Sequence, residues 1–228
     1  MSIAELLPVA LLGAVLGLDV VSFPQAMISR PIVASTLAGA LAGSAASGVL
    51  AGAILELFAL EMLAVGASRY PEWGTASVVG GALFARMELA GWAGALPVSI
   101  ATALLTAWLG GWSMYLLRRV NGVLARKRLK ELDAGSRSAV LFLQLTGLTA
   151  DLVRGGLLTL LAMIAFAPAA QYAGREWAFG AARSEAVLLA LAVATAGAAG
   201  WRLFHAAAGA RWLFLGGAAA GTALIALR

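Results

Sequence analysis

No cysteine occurs in the 228 residues, and histidine occurs once, at His205. The first absence excludes disulfides, thiolate metal sites and phosphocysteine chemistry. The second excludes a multi-histidine metal site within this chain. Charge is scarce as well: Asp, Glu, Lys and Arg make up 12%, against roughly 25% in soluble domains. The start, Met1-Ser2-Ile3-Ala4-Glu5, lacks the basic region of a cleavable signal peptide, so the first apolar stretch is expected to stay as a membrane helix. No long linker, low-complexity tail or soluble domain interrupts the chain. Neither a nucleophile elbow nor a P-loop nor a Ser–His–Asp set is visible. No catalytic residue and no cofactor is therefore expected.

What fills the sequence instead is apolar. Hydrophobic residues reach 62% and Gly numbers 27. Small residues let membrane helices pack closely, where burial alone does not drive helices together. The expected fold is an all-α polytopic membrane protein, a single integral membrane domain over 1–228 with about 6–8 transmembrane helices and re-entrant or broken hairpins. Apolar stretches cover 6–22, 31–43, 48–67, 74–86, 92–117, 138–169, 184–200 and 212–227. A span needs about 20 residues. The third, fifth and seventh suffice, and the first and last are near the limit. The sixth is too long for one upright helix and carries Gly147, Asp151, Arg154, Gly155 and Gly156 at its middle, so it is expected to be broken, strongly tilted or two elements. The stretches 31–43 and 74–86, about 13 residues each, read as re-entrant. Short interrupted apolar segments of this kind point to a transporter binding site; two ordinary short helices in a buried core are the plainer reading. The seven Trp residues fall mostly near helix ends, as an aromatic belt would place them.

The net charge of +5 comes mainly from "RRVNGVLARKRLKELDAGSR", Arg118–Arg137. Lys and Arg beside membrane ends mark the cytoplasmic side. The run is expected as a cytoplasmic loop with a short surface helix, compatible with docking of a soluble partner; a nucleic-acid role is not expected.

Charged residues within apolar stretches are functional candidates. Asp19 closes the first. Arg30-Pro31 starts the next helix, with Pro where its missing N–H costs nothing, and Asp19 and Arg30 are positioned to pair across the break or to meet substrate. Glu56 lies mid-span, so it must face a cavity, pair with a cation or be protonated. Glu61, about 140° further around a helix, is read as an ion-pair or packing residue. In "VGASRYPEWGTAS", Gly66, Ser68, Thr75 and Ser77 suit a neutral polyhydroxy ligand, or simply an interfacial turn. Gln144 suits a sugar hydroxyl or a helix–helix hydrogen bond. Asp151 and Arg154, three apart, can pair on one helix face. His205 reads as interfacial.

An early Asp19, then Arg30-Pro31 before Thr36 and Gly39, then Gly43, Gly48 and Gly52 leading to Glu56, then Gly66-Ala67 and Pro71-Glu72, form an ordered pattern. It resembles the enzyme IIC subunit of the mannose/fructose/sorbose class of the bacterial sugar phosphotransferase system, best over about residues 15–80. The resemblance implies a sugar permease subunit in the bacterial inner membrane. It implies a membrane partner, enzyme IID, and soluble IIA and IIB phosphocarriers that phosphorylate the incoming sugar. It also implies an oligomer, and a core domain with re-entrant hairpins, over about 15–86, that moves against a scaffold domain; 138–228 is the remaining helical bundle. Ser44, Glu61 and Ala64 depart from residues common in the family, where Asp, Gly and Asn or Thr stand. Those departures support a second reading, a diverged non-transporting scaffold or regulatory subunit.

Overall fold

Gly81 shows what the centre of the molecule demands. A Cβ built there would lie 2.5 Å from the Ser35 carbonyl oxygen, so only glycine lets the two backbones approach. In the computed structural model, which describes residues 3–60 and 69–226, Gly81 sits on the most enclosed helix. Glu61, Ala64, Gly66 and Ser68 lie outside the described residues.

The described elements are all helical: α1 Ile3–Asp19, α2 Pro31–Leu41, α3 Ala45–Ala59, α4 Trp73–Leu89, α5 Ala95–Lys127, α6 Leu129–Asp133, α7 Arg137–Arg175, α8 Ala181–Phe204 and α9 Ala210–Ala226. Helix α4 is buried along nearly its whole length. It is enclosed by α1, α2, α3, α5 and α7, and Val78, Val79, Leu83 and Met87 anchor the core. Helices α2 and α3 form a tight hairpin. Gly43 turns it with a φ of +108°, and Ser44 caps α3 by accepting from the Ser47 amide at 3.2 Å. Gly48 faces the α2 backbone, where a Cβ would stand 2.3 Å from the Ser35 oxygen.

In the 48–67 stretch, α3 runs to Ala59, and the part from residue 61 onward lies outside the described residues. The 138–169 stretch is neither broken nor two elements: α7 is one helix of 39 residues, the length that the strongly tilted alternative calls for. Its glycines serve contact rather than rupture: Gly155 lies against α1, where a Cβ would come within 3.0 Å of the Gly13 oxygen. The basic run contains the expected short helix but little loop. It is the end of α5, the short α6 and the start of α7. Of the two short segments, 31–43 forms one arm of the hairpin, whereas 74–86 lies in the 17-residue α4.

By length and composition, α5, α7 and α8 are each able to cross a membrane, and α2 and α3 are shorter apolar helices. At 1.5 Å per residue, the 33 residues of α5 and 39 of α7 run about 50 and 58 Å. Both exceed the roughly 30 Å of a hydrocarbon core, and their joined basic ends, with α6, form a stalk.

Candidate functional site

The chain between α1 and α2 turns sharply. Gln25 and Met27 hold positive φ, 58° and 61°, and Phe23–Pro24 is cis. Left-handed backbone at a non-glycine residue persists only where surroundings over-determine it, at about 1–3 kcal/mol each. Here the determinant is Asp19, 2% exposed, whose Oδ1 accepts from the Ala26 amide at 2.7 Å and Oδ2 from the Ser29 amide at 2.9 Å.

This turn walls a cavity of about 260 Å³. Asp19, Gln25, Ser29 and Arg30 supply its polar side, and Ala59 of α3 and Trp73 of α4 close it. Asp19 and Arg30 do not pair with each other. Asp19 is engaged by the amides of its own turn, and Arg30 reaches across to Glu56. The second Glu56 oxygen accepts from the Ile32 amide at 3.2 Å. That amide belongs to the first turn of α2, which has no side-chain cap of its own and where a carboxylate is favoured. Glu56 therefore stands behind Arg30 and does not line the cavity.

Behind the turn lies a second polar cluster. Asp151, 1% exposed, accepts from Arg154 Nε at 2.8 Å and from the Ser22 hydroxyl. Arg154 Nη1 donates to Ser113 Oγ at 3.0 Å. Ser22 thus ties the turn to α7, and Ser113 ties α5 to the same arginine. Glu72, fully buried, caps α4. Its carboxylate accepts from the Thr75 amide at 3.2 Å and from the Thr75 hydroxyl.

The remaining sequence candidates scatter. Thr75 and Ser77 are fully buried: Thr75 serves the Glu72 cap, and the Ser77 carbonyl accepts from Ser35 Oγ at 2.8 Å. Gln144 is exposed on α7, seven residues or about 10 Å along the helix from Asp151 towards the stalk. Sequence reasoning missed Gln25, Ser29, Trp73, Ser22 and Glu72 as site residues. The polar stretch "SFPQAMISR" between two apolar helices was the available signal for Gln25, Ser29 and Ser22.

Among solved structures, one described only as a membrane protein superposes with a TM-score of 0.72 over 97% of this chain and 87% of its own, at 18% identity. That likeness shows the fold alone: an all-α membrane protein. A curated relative, the "PTS system sorbose-specific EIIC component" of Klebsiella pneumoniae, is 38% identical over 82 residues. The aligned stretch covers 35% of this chain and spans about a third, 31%, of that relative. The family described as "PTS system sorbose-specific iic component" matches residues 3–178, from the start of α1 to just past α7. With most of its length matched, cavity and buried cluster included, the chain belongs to the family of sorbose-specific IIC components of the phosphotransferase system.

Proposed function

We propose that the chain is the IIC permease subunit of a sugar phosphotransferase system in the bacterial cytoplasmic membrane, and that it forms part of the path for a neutral hexose-type sugar. The supporting observation is the cavity of Asp19, Gln25, Ser29, Arg30 and Trp73, which falls within the family match. Its volume is just under the roughly 300–1,000 Å³ of drug-sized pockets, a scale that suits a monosaccharide.

A hexose offers hydroxyls and no charge, so it is recognised by oriented donors and acceptors. Each Asp19 oxygen accepts one amide and keeps further acceptor capacity. Hydrogen bonds to a charged group are about twice as strong as neutral ones. Arg30 supplies donors from the other side, and Glu56 holds it there. Gln25 and Ser29 offer both donor and acceptor. Glu56 acts through Arg30, while Thr75 and Ser77 support α4. Phosphate is supplied by soluble IIA and IIB components, for which the basic stalk is the docking surface. Enzyme IID completes the membrane path.

Uptake of labelled hexoses by the chain reconstituted with a IID partner and the soluble components tests this reading. Uptake that falls at least tenfold in Asp19→Asn, with the protein still folded, supports it. Absence of both binding and uptake for mannose, fructose, sorbose and amino sugars overturns it.

One observation favours the second reading, a non-transporting scaffold: both Glu56 oxygens are engaged inside the fold. On that reading, replacing Arg126, Lys127 and Arg128 by Gln abolishes partner recruitment while Asp19→Asn leaves recruitment unchanged.

A further inference from the structure

Away from this cavity, a groove of about 560 Å³ runs between α3, α5 and α8. It lies beside the first turns of α8, which begin beyond the family match at residue 178. Phe58 from α3 and Ile100 and Leu104 from α5 form one wall. The other is a stripe on α8 at positions 183–184, 187–188, 191 and 195. That spacing is one helical face, and 12 residues at 1.5 Å make it about 18 Å long. The aromatic rings of Trp177 and Phe179 close one end, their centroids 5.9 Å apart. The Trp177 Nε1–H donates to Ser184 Oγ at 2.7 Å, which pins that end.

The same end carries Arg183, exposed and lining the groove. It makes no ion pair among the described residues. Helix α7 crosses from the basic stalk to this side, so Arg183 stands on the membrane face opposite the basic run. The bias of Lys and Arg towards the cytoplasmic side does not account for it.

We propose that this groove binds one glycerophospholipid, with an acyl chain along the α8 stripe and the phosphodiester against Arg183. An apolar groove of this size is not filled by water, and within a bilayer either an acyl chain or a partner helix occupies it. Helix–helix interfaces in membranes are rich in Gly, Ala, Ser and Thr, which bring backbones together. This groove is walled mainly by Phe, Ile, Leu and Val instead. The small residues of α8, such as Gly197 and Ala198, line the separate cleft towards α9. An unpaired guanidinium at an aromatic rim complements a phosphate, not an apolar helix.

The test is native mass spectrometry of the full chain in detergent, titrated with dioleoyl-phosphatidylglycerol, dioleoyl-phosphatidylethanolamine or diolein. One bound phospholipid is expected, with diolein binding more weakly. Arg183→Gln, an exposed change that leaves the fold intact, is expected to weaken phosphatidylglycerol about fivefold, the effect of one basic residue at a membrane surface. Leu191→Trp, which fills the groove, is expected to abolish binding, while Leu215→Trp on α9 leaves it unchanged. Equal binding of diolein, or no effect of Arg183→Gln, overturns the phosphate contact. Unaltered lipid binding in Leu191→Trp, or loss of an oligomer in that variant instead of a lipid, assigns the groove to another occupant and overturns the proposal.

Discussion

Glu56 engages Arg30 with one carboxylate oxygen and the Ile32 amide with the other, and both contacts are made by the first turn of a neighbouring helix or the residue just before it. Glu56→Gln keeps an acceptor for Ile32 and loses the ion pair. Arg30 and Glu56 are partly exposed, 45% and 21% at their side chains, so the pair itself is worth about 1 kcal/mol or less. A modest drop in melting temperature is expected, with a smaller loss of sugar affinity than Asp19→Asn causes. Asp19 has no such exposure. Its Asn variant loses charged hydrogen bonds worth about 1.5–3 kcal/mol each and presents an NH₂ to one of two backbone amides. Sugar affinity is expected to fall about tenfold or more, since ~1.4 kcal/mol is a factor of ten. Titrating both purified variants with sugar and melting the same samples checks the ranking. The buried Asp151–Arg154 pair is different again. Arg154→Met strands Asp151 at 1% exposure and is expected to cost about 3–5 kcal/mol, whereas Arg154→Met with Asp151→Leu costs less. Thermal denaturation of single and double variants separates the two cases.

At the scale of elements, the α2–α3 hairpin depends on close approach and on its cap. Beside the Ser44 cap stands a carboxylate from another helix. The Ser47 hydroxyl donates to Glu88 at the end of α4, and Ser47 also bonds Ser44. Ser44→Asp keeps a good cap but sets a second carboxylate near Glu88. It is expected to lower the melting temperature, and adding Glu88→Gln is expected to restore part of the loss. Full additivity in that double-variant cycle would show that the two positions do not communicate. Ser44→Ala, which only removes the cap, is expected to cost about 1 kcal/mol. Gly48 lies too near the Ser35 carbonyl to accept a side chain, so Gly48→Val should open the hairpin and cost about 1–3 kcal/mol or more.

At the scale of the molecule, the stalk sets orientation. Arg118, Arg119, Arg126, Lys127, Arg128, Lys130 and Arg137 cluster on the ends of α5 and α7 and on α6, and such clusters face the cytoplasm. The absence of native cysteine makes a single introduced thiol a clean reporter. Ala134→Cys is the better site than Ser136, because Ser136 caps α7 by accepting from the Ala139 amide. Labelling by an impermeant thiol reagent is expected only after the cells are permeabilised; labelling of intact cells would invert the topology.

The sequence alone determined the class of solvent, the helical fold and the family pattern. Each is written in composition and local order: 62% hydrophobic residues, glycines spaced for close packing, and Arg30-Pro31 starting a helix. Asp19 and Arg30 were legible as candidates for the same reason, since charge in an apolar chain stands out. The division of labour among them was not. Whether Arg30 meets Asp19 or Glu56 depends on where α3 returns, and the Gly43 turn and the Gly48 contact settle that through space. Gly147, Gly155 and Gly156 look like breaks in one dimension. In three, Gly155 is a contact surface for α1, because a helix whose backbone bonds are all internal tolerates glycine when a neighbour fills the gap. Gln25, Ser29 and Trp73 join Asp19 only once the α1–α2 turn folds against α4. A cavity is made by residues distant in the chain, and only the tertiary packing decides which of them share it.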